Sequence, residues 1–226
     1  MQPEEVLRRL KHISRPEVLA SMASFGIRAE KDYGVTVPLI RKMAKELGKN
    51  HMLALRLWDT GVHEARILAT MLAEPEKMTE RQMERWVSEI ASWDVGDHFC
   101  GNLMVKTPLA YDKAFDWSSR KDEFVKRAGF ALMAYLAVHD KAAPDRAMEA
   151  FFAPIRKQSG DDRNFVKKAV NWALRNIGKR NATLNAAAIE AAQRIRLQGT
   201  QPARWIAADA LRELTSVAKL ARWGGG

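Results

Sequence analysis

Phe124-Val-Lys-Arg-Ala128 returns as Phe165-Val-Lys-Lys-Ala169, 41 residues on, and Ala173-Leu-Arg175 returns as Ala210-Leu-Arg212, 37 residues on. Each copy lies in a stretch whose apolar residues recur at helical spacing, so the repeating unit is a helix pair. Two-helix units of about this period mark HEAT-type solenoids, in which each unit buries its apolar face against the next. Helical periodicity also runs through the rest of the chain. Helices are expected over 3–12, 16–25, 37–47, 49–58, 62–73, 79–90, 93–105, 109–117, 121–138, 144–157, 162–179, 182–197 and 202–222. Strand-like alternation is nearly absent. The fold class is therefore all-α: HEAT-like helical repeats stacked as a curved α-solenoid with a basic concave face.

Local chemistry supports several of these boundaries. Ser14-Arg-Pro-Glu17 and Thr79-Glu-Arg-Gln82 have the spacing of capping boxes, in which two side chains satisfy orphan amides at a helix start. Pro38, Pro144 and Pro202 fall where a first helical turn tolerates a missing N–H. Gly48, Gly160 and Gly199 fall where helices should stop. The least helical stretch is Gly26 to Val35. No Ser/Gly/Pro-rich linker divides the chain, which predicts one domain over 1–222 and a frayed tail at 223–226.

Composition removes several functional classes. With 226 residues and 47% apolar content, the chain can bury a sizeable core. Apolar residues continue from Val6 to Trp223, which argues against general disorder. The most apolar stretch, Phe130 to Val138, is too short to span a bilayer and is flanked by charge. The start, MQPEEVLRRLKHISRP, lacks the apolar run of a secretory leader. A single cysteine, Cys100, excludes an internal disulfide and a Cys-rich zinc framework, so a reducing cytoplasm is the natural compartment. Cys100 reads as a small core residue beside Phe99, Leu103 and Met104, and Met22, Met43, Met52, Met71, Met104 and Met133 read as core filler. The 37 Lys+Arg outnumber 27 Asp+Glu, a net charge of +10 that favours a polyanionic partner.

Two clusters carry the chemistry. In Ser92-Trp93-Asp94-Val95-Gly96-Asp97-His98, Ser92 suits an N-cap, which places Trp93 and Asp97 at i and i+4 on one helix face. An acid near a helix N-terminus is stabilised in its ionised form, and a carboxylate beside an aromatic wall suits a cationic ligand or transition state. Spacing alone better fits a core Trp93, with Asp94 as a dipole-favoured first-turn acid and Asp97 as a solvated or capping residue. No second histidine joins His98 in a metal-ligand pattern. The second cluster sets Lys168, Trp172 and Arg175 at i, i+4 and i+7, a basic face with an aromatic inside it. Taken alone, that pattern also fits a core Trp172 whose neighbouring cations snorkel outward. Arg127 occupies the equivalent place one repeat earlier. There is no phosphate-binding glycine loop, no G-x-S-x-G and no H-E-x-x-H.

Together the Ser-Trp-Asp-x-x-Asp helix start, the Val-Lys-Arg-Ala helix and the Lys-Lys-Ala-x-x-Trp-x-Leu-Arg helix resemble the AlkD-type DNA alkylation repair proteins, which are HEAT-like-repeat DNA glycosylases. The resemblance runs from the Tyr33-Gly34-Val35 loop to the Trp172 helix. It implies that Asp97 is the catalytic carboxylate, that Trp93 and Trp172 flank the damaged nucleotide, and that Arg127 and Arg175, with Lys168, contact DNA. Phe25 stands where the family pattern has a DNA-touching tyrosine, and Thr36 where it has a glutamine. The implied activity is removal of cationic N3- or N7-alkylated purines from double-stranded DNA by a monomer that needs no cofactor and no metal. Two other readings remain: a non-catalytic module that binds distorted or branched DNA, and a protein-binding scaffold.

Overall fold

The structure is a computed structural model that describes residues 2–27 and 29–216. Among the described residues the secondary structure is helical throughout, with fourteen α-helices, two short 3₁₀ turns and no strand. They fall into two compact units, Met1–Thr107 and Pro108–Gly226.

The first unit holds α1 (Pro3–His12), α2 (Pro16–Ser24), α3 (Val37–Leu47), α4 (His51–Asp59), α5 (His63–Leu72), α6 (Glu80–Ser88) and α7 (Trp93–Asn102). α5 packs between α3 and α7, and α4 crosses α5 with α1 beside it. The core is aromatic. Trp58 of α4 stacks on Trp86 of α6 with ring centroids 4.1 Å apart, and Phe99 of α7 tilts against both at 6.0 and 5.9 Å. All three are fully buried, and such pairs contribute about 0.5–1.5 kcal/mol beyond their area. Cys100 is buried beside Phe99, as its sequence context predicts. α2 is different: none of its residues is fully buried, and Phe25 at its C-terminal end is 64% exposed.

The second unit holds α8 (Ala110–Ser119), α9 (Glu123–His139), α10 (Asp145–Glu149), α11 (Phe152–Gln158), α12 (Asn164–Gly178), α13 (Ala182–Arg196) and α14 (Gln201–Leu214). α9, α12 and α14 pack in a row, while α8, α11 and α13 form a second layer against them. The sequence echoes map α9 onto α12 and α12 onto α14, so they correspond to successive units of the stack. Gly129 is what lets α9 approach α8 so closely. A Cβ there would lie 2.3 Å from the Ser118 amide nitrogen, an overlap with backbone that only a shift of the helix would relieve.

Several expectations change in detail. The helix expected over 144–157 is broken into α10 and α11, because Pro154 has no N–H to donate to the Ala150 carbonyl. Pro75–Lys77 and Met104–Lys106 form 3₁₀ turns at helix ends. The Thr79–Gln82 capping box is present in full. The Ser14 box is not: α2 is capped by Arg15 without a side-chain bond, and the Ser14 hydroxyl donates to the Tyr33 carbonyl instead. Met52 is 62% exposed rather than core. The helix expected over 202–222 ends at Leu214, and residues 217–226, with the 223–226 tail, lie outside the described residues.

Candidate functional site

Trp93 is the first residue of α7 and Asp97 sits one turn later, so both project from the same face of the helix. Both are half-buried. The Trp93 indole Nε1 donates to the Phe25 carbonyl at 3.0 Å, which fixes the ring's edge. Ser92 occupies the N-cap, but its hydroxyl makes no bond to a helix amide. Asp94 in turn is not a simple first-turn acid. Its Oδ2 lies 2.8 Å from Nε2 of His63, the first residue of α5, with the His63 side chain buried and that of Asp94 13% exposed. Burial pushes the Asp94 carboxyl up, but the His63 hydrogen bond and charge outweigh it and hold the group below the ordinary carboxylate range. Burial likewise pushes His63 down, and is outweighed by the hydrogen bond and charge of Asp94 with help from Glu64 and Asp32, so its value is raised. A largely buried His–Asp pair therefore joins the starts of α5 and α7, next to Trp93 in the chain. Burial dominates at His98, whose pKa is lowered; its Nδ1 lies 3.3 Å from the Asn102 amide.

The pair has a pH signature. The raised His63 value contributes stability fully present below about pH 6.5, the ordinary histidine value, and lost as pH rises through the folded value. The lowered Asp94 value contributes stability present above about pH 4 and lost as pH falls through the folded value. His63→Ala leaves Asp94 buried without its cation and is expected to cost about 3 kcal/mol at pH 5.5. The gap in melting temperature between parent and variant should narrow at pH 8.5. An equal gap at both pH values would mean that the pair is not charged.

The neighbouring residue of α5 builds a second device. Glu64 is fully buried, and its Oε1 accepts the amides of Tyr33, Gly34 and Val35 at 3.1, 2.7 and 3.1 Å. The His63 amide donates to the Lys31 carbonyl at 2.8 Å and the Arg15 amide to the Gly34 carbonyl at 3.0 Å. Gly34 has φ +71°, and a Cβ there would meet the Arg15 carbonyl at 2.5 Å. The loop preceding α3 is thus tied from both sides. Sequence reasoning passed over Glu64 and His63. The signal available was a His-Glu pair opening a helix immediately after Gly61-Val62.

In the second unit, Lys168 is exposed while Trp172 and Arg175 are half-buried, consistent with one face of α12. Trp172 meets the edge of Tyr135 on α9 at 5.1 Å, and Tyr135 stacks on His139 at 5.9 Å. Tyr135 was not singled out from sequence, and its partner is 37 residues away. Arg175 is held by Glu213 at 2.7 Å and Asp209 at 3.6 Å, and Lys179 shares Glu213 at 3.2 Å. Arg127 is only 7% exposed, because α9 is packed between α8 and α12, and its Nη1 donates to the Phe165 carbonyl at 2.8 Å. Lys126 beside it is paired with Asp161 at 3.0 Å. Burial pushes the Asp161 carboxyl up, but hydrogen bonds from Arg163 and Lys126 prevail and bring it to about 2. Among these cations Lys168 is the most open to solvent.

No group of three or more His, Cys, Asp or Glu side chains with metal-site geometry occurs among the described residues, and no described helix is long and apolar enough to cross a membrane.

No curated protein sequence matches the chain. A solved structure matches over 86% of this chain and 83% of its own, with a TM-score of 0.78 at 22% identity. That structure is described as belonging to a new family of proteins related to the HEAT-like repeat DNA glycosylases, with affinity for branched DNA structures. The likeness establishes the HEAT-like helical fold. The family model for DNA alkylation repair enzymes matches residues 6–214, nearly all of the chain, and the chain therefore belongs to the DNA alkylation repair enzyme family.

Proposed function

We propose that this protein is a cytoplasmic DNA glycosylase that hydrolyses the N-glycosidic bond of cationic N3- and N7-alkylated purines in duplex DNA. The observation that carries the reading is the α7 start. A tryptophan pinned by its indole N–H and a carboxylate one turn on share one face, and the His63–Asp94 pair anchors the helix start that presents them. An alkylated purine already bears positive charge and leaves readily, so the site needs no strong general acid. As the bond breaks, positive charge develops on the sugar, and a fixed carboxylate stabilises it. Asp97 takes that role and orients the attacking water. Trp93 and Trp172 contact the sugar and the cationic base through C–H and cation–π interactions. Lys168, Arg127 and Arg175 serve the phosphate backbone, with Lys168 most directly placed for it. The protein acts as a monomer over one functional domain, without metal or cofactor.

The direct test is release of 7-methylguanine from methylated duplex DNA. The expected result is base release above the spontaneous rate, together with duplex affinity that falls steeply with salt as phosphate neutralisation releases counterions. Lys168→Ala should lower the salt slope by about one unit. Salt-insensitive binding would point to the scaffold reading instead.

A second reading has its own support. The structural neighbour is a protein with affinity for branched DNA structures, and here Arg127 and Arg175 are occupied by intramolecular partners. A non-catalytic module for distorted or branched DNA would bind such substrates and release no base.

A further inference from the structure

Trp205 lies on α14, whose Ala203, Ile206, Ala207 and Ala210 supply the buried face. Trp205 itself is 40% exposed, so the core does not account for it. A cation stands over it from the neighbouring helix: Lys167 Nζ of α12 is 4.9 Å from the ring centroid. At that distance the ammonium is attracted by the ring quadrupole and occupies part of the indole surface, while another part is open to solvent.

The repeat register sharpens the picture. The offsets of 41 and 37 residues align Arg127, Lys168 and Trp205 on α9, α12 and α14, and align Lys126, Lys167 and Arg204 beside them. One series is cationic in all three helices. The other is cationic twice and then becomes tryptophan. The sequence thus replaces a positive charge by an aromatic at one point of a basic row, leaving Lys168 and Arg204 exposed on either side. The one acid on α14 near this end, Asp209, is already engaged by Asn171 and Arg212.

An exposed tryptophan set among cations matches nucleic acid rather than an apolar protein surface. Phosphates pair with the charges, and a base that has lost its stacking partner finds one on the ring. We propose that Trp205, flanked by Lys167, Lys168 and Arg204, is a stacking platform for an unpaired base of DNA. Its ligand is a duplex carrying a single-stranded tail or junction. The platform rests on the DNA-binding part of the function proposed above but not on catalysis. It adds a contact distinct from the Trp93, Asp97 and Trp172 group.

The experiment compares a fluorescent blunt duplex with the same duplex bearing a short single-stranded tail, by anisotropy across a salt series. The parent should bind the tailed probe more tightly. Trp205→Ala should weaken the tailed probe by about 5- to 150-fold, the range for loss of one base–aromatic stack, while leaving the blunt probe unchanged. Trp205→Phe should restore part of the preference. Lys167→Gln should lower the salt slope on the tailed probe by about one unit. Melting temperature should hold in all three variants, since these side chains lie outside the core.

Equal binding of both probes by the parent overturns the platform. So does an unchanged tail preference in Trp205→Ala, which is also the result if the tryptophan holds a protein partner. Base release from methylated duplex separates this from the catalytic reading. A parent that releases no base yet prefers the tailed probe through Trp205 keeps the platform and loses the glycosylase. A parent that releases base with no such preference does the reverse.

Discussion

Asp97→Asn is expected to slow release of 7-methylguanine from methylated duplex by about 10²–10³-fold, the usual loss when one preorganised electrostatic partner is removed from a catalytic site. The substitution keeps the size of the side chain and its capacity to hydrogen-bond. What it removes is the negative charge that faces the developing positive charge on the sugar. Ground-state affinity for the duplex should hold or rise slightly, because a negative charge near phosphates is gone. Stability should shift by less than about 1 kcal/mol, since Asp97 is half-buried on the helix face rather than in the core and the substitution keeps its size and hydrogen-bonding capacity. Single-turnover base release, duplex affinity and melting temperature, measured on one preparation, separate the three effects. Base release at the parent's rate would remove Asp97 from the chemistry. With retained affinity for branched DNA, that outcome would favour the binding-module reading. A rate loss matched by an equal loss of affinity would place Asp97 in binding rather than in the transition state.

How far the sequence leads depends on the range over which each feature is encoded. Helix placement is encoded within a turn or two, and there the periodicity and caps are readable: Thr79 and Gln82 close the box their spacing implies. Local signals misled where a competing partner lay elsewhere in the chain. Ser14 has a suitable cap spacing, yet the Tyr33 carbonyl claims its hydroxyl. Pro154 was locally visible, and its missing N–H explains a break that apolar periodicity concealed. The Trp93/Asp97 face was readable because i and i+4 share a helix face whatever surrounds them. What supports that face was not. His63 and Asp94 are 31 residues apart, and nothing in either segment announces that two helix starts will meet. The burial of Arg127 was equally hidden. An arginine in a Val-Lys-Arg-Ala helix reads as solvated until the row formed by α9 and α12 closes over its stem.

Glu64 marks where the sequence left most unsaid and where a single change should cost the fold most. Its carboxylate receives three consecutive backbone amides in a fully buried place, and Tyr33 reaches its Oε2 as well at 3.1 Å. Glu64→Ala leaves three backbone donors without their side-chain acceptor. At about 1–3 kcal/mol for each stranded group, the expected loss is about 5 kcal/mol, comparable to the whole stability of many domains. Because that variant risks failing to fold, Glu64→Gln carries the decisive comparison. Its amide oxygen can replace Oε1 and keep the three short contacts. Its NH₂ group then faces the Tyr33 amide, donor against donor, where Oε2 accepted before. Glu64→Gln should therefore fold and lose less than Glu64→Ala, about 2 kcal/mol by denaturant titration. Amide exchange should rise at Tyr33 first and at Val35 least, since only Tyr33 uses both oxygens. The loop also feeds the functional face, because the Tyr33 carbonyl holds Ser14 at the entry to α2, and Phe25 at the end of α2 holds the Trp93 indole. Loosening Glu64 should thus lower base release through Trp93 while leaving the Trp205 tail preference intact. If exchange at residues 33–35 stays at the parent's level in Glu64→Gln, the carboxylate is not what orders the loop, and the chain of support from α5 to Trp93 breaks at its first link.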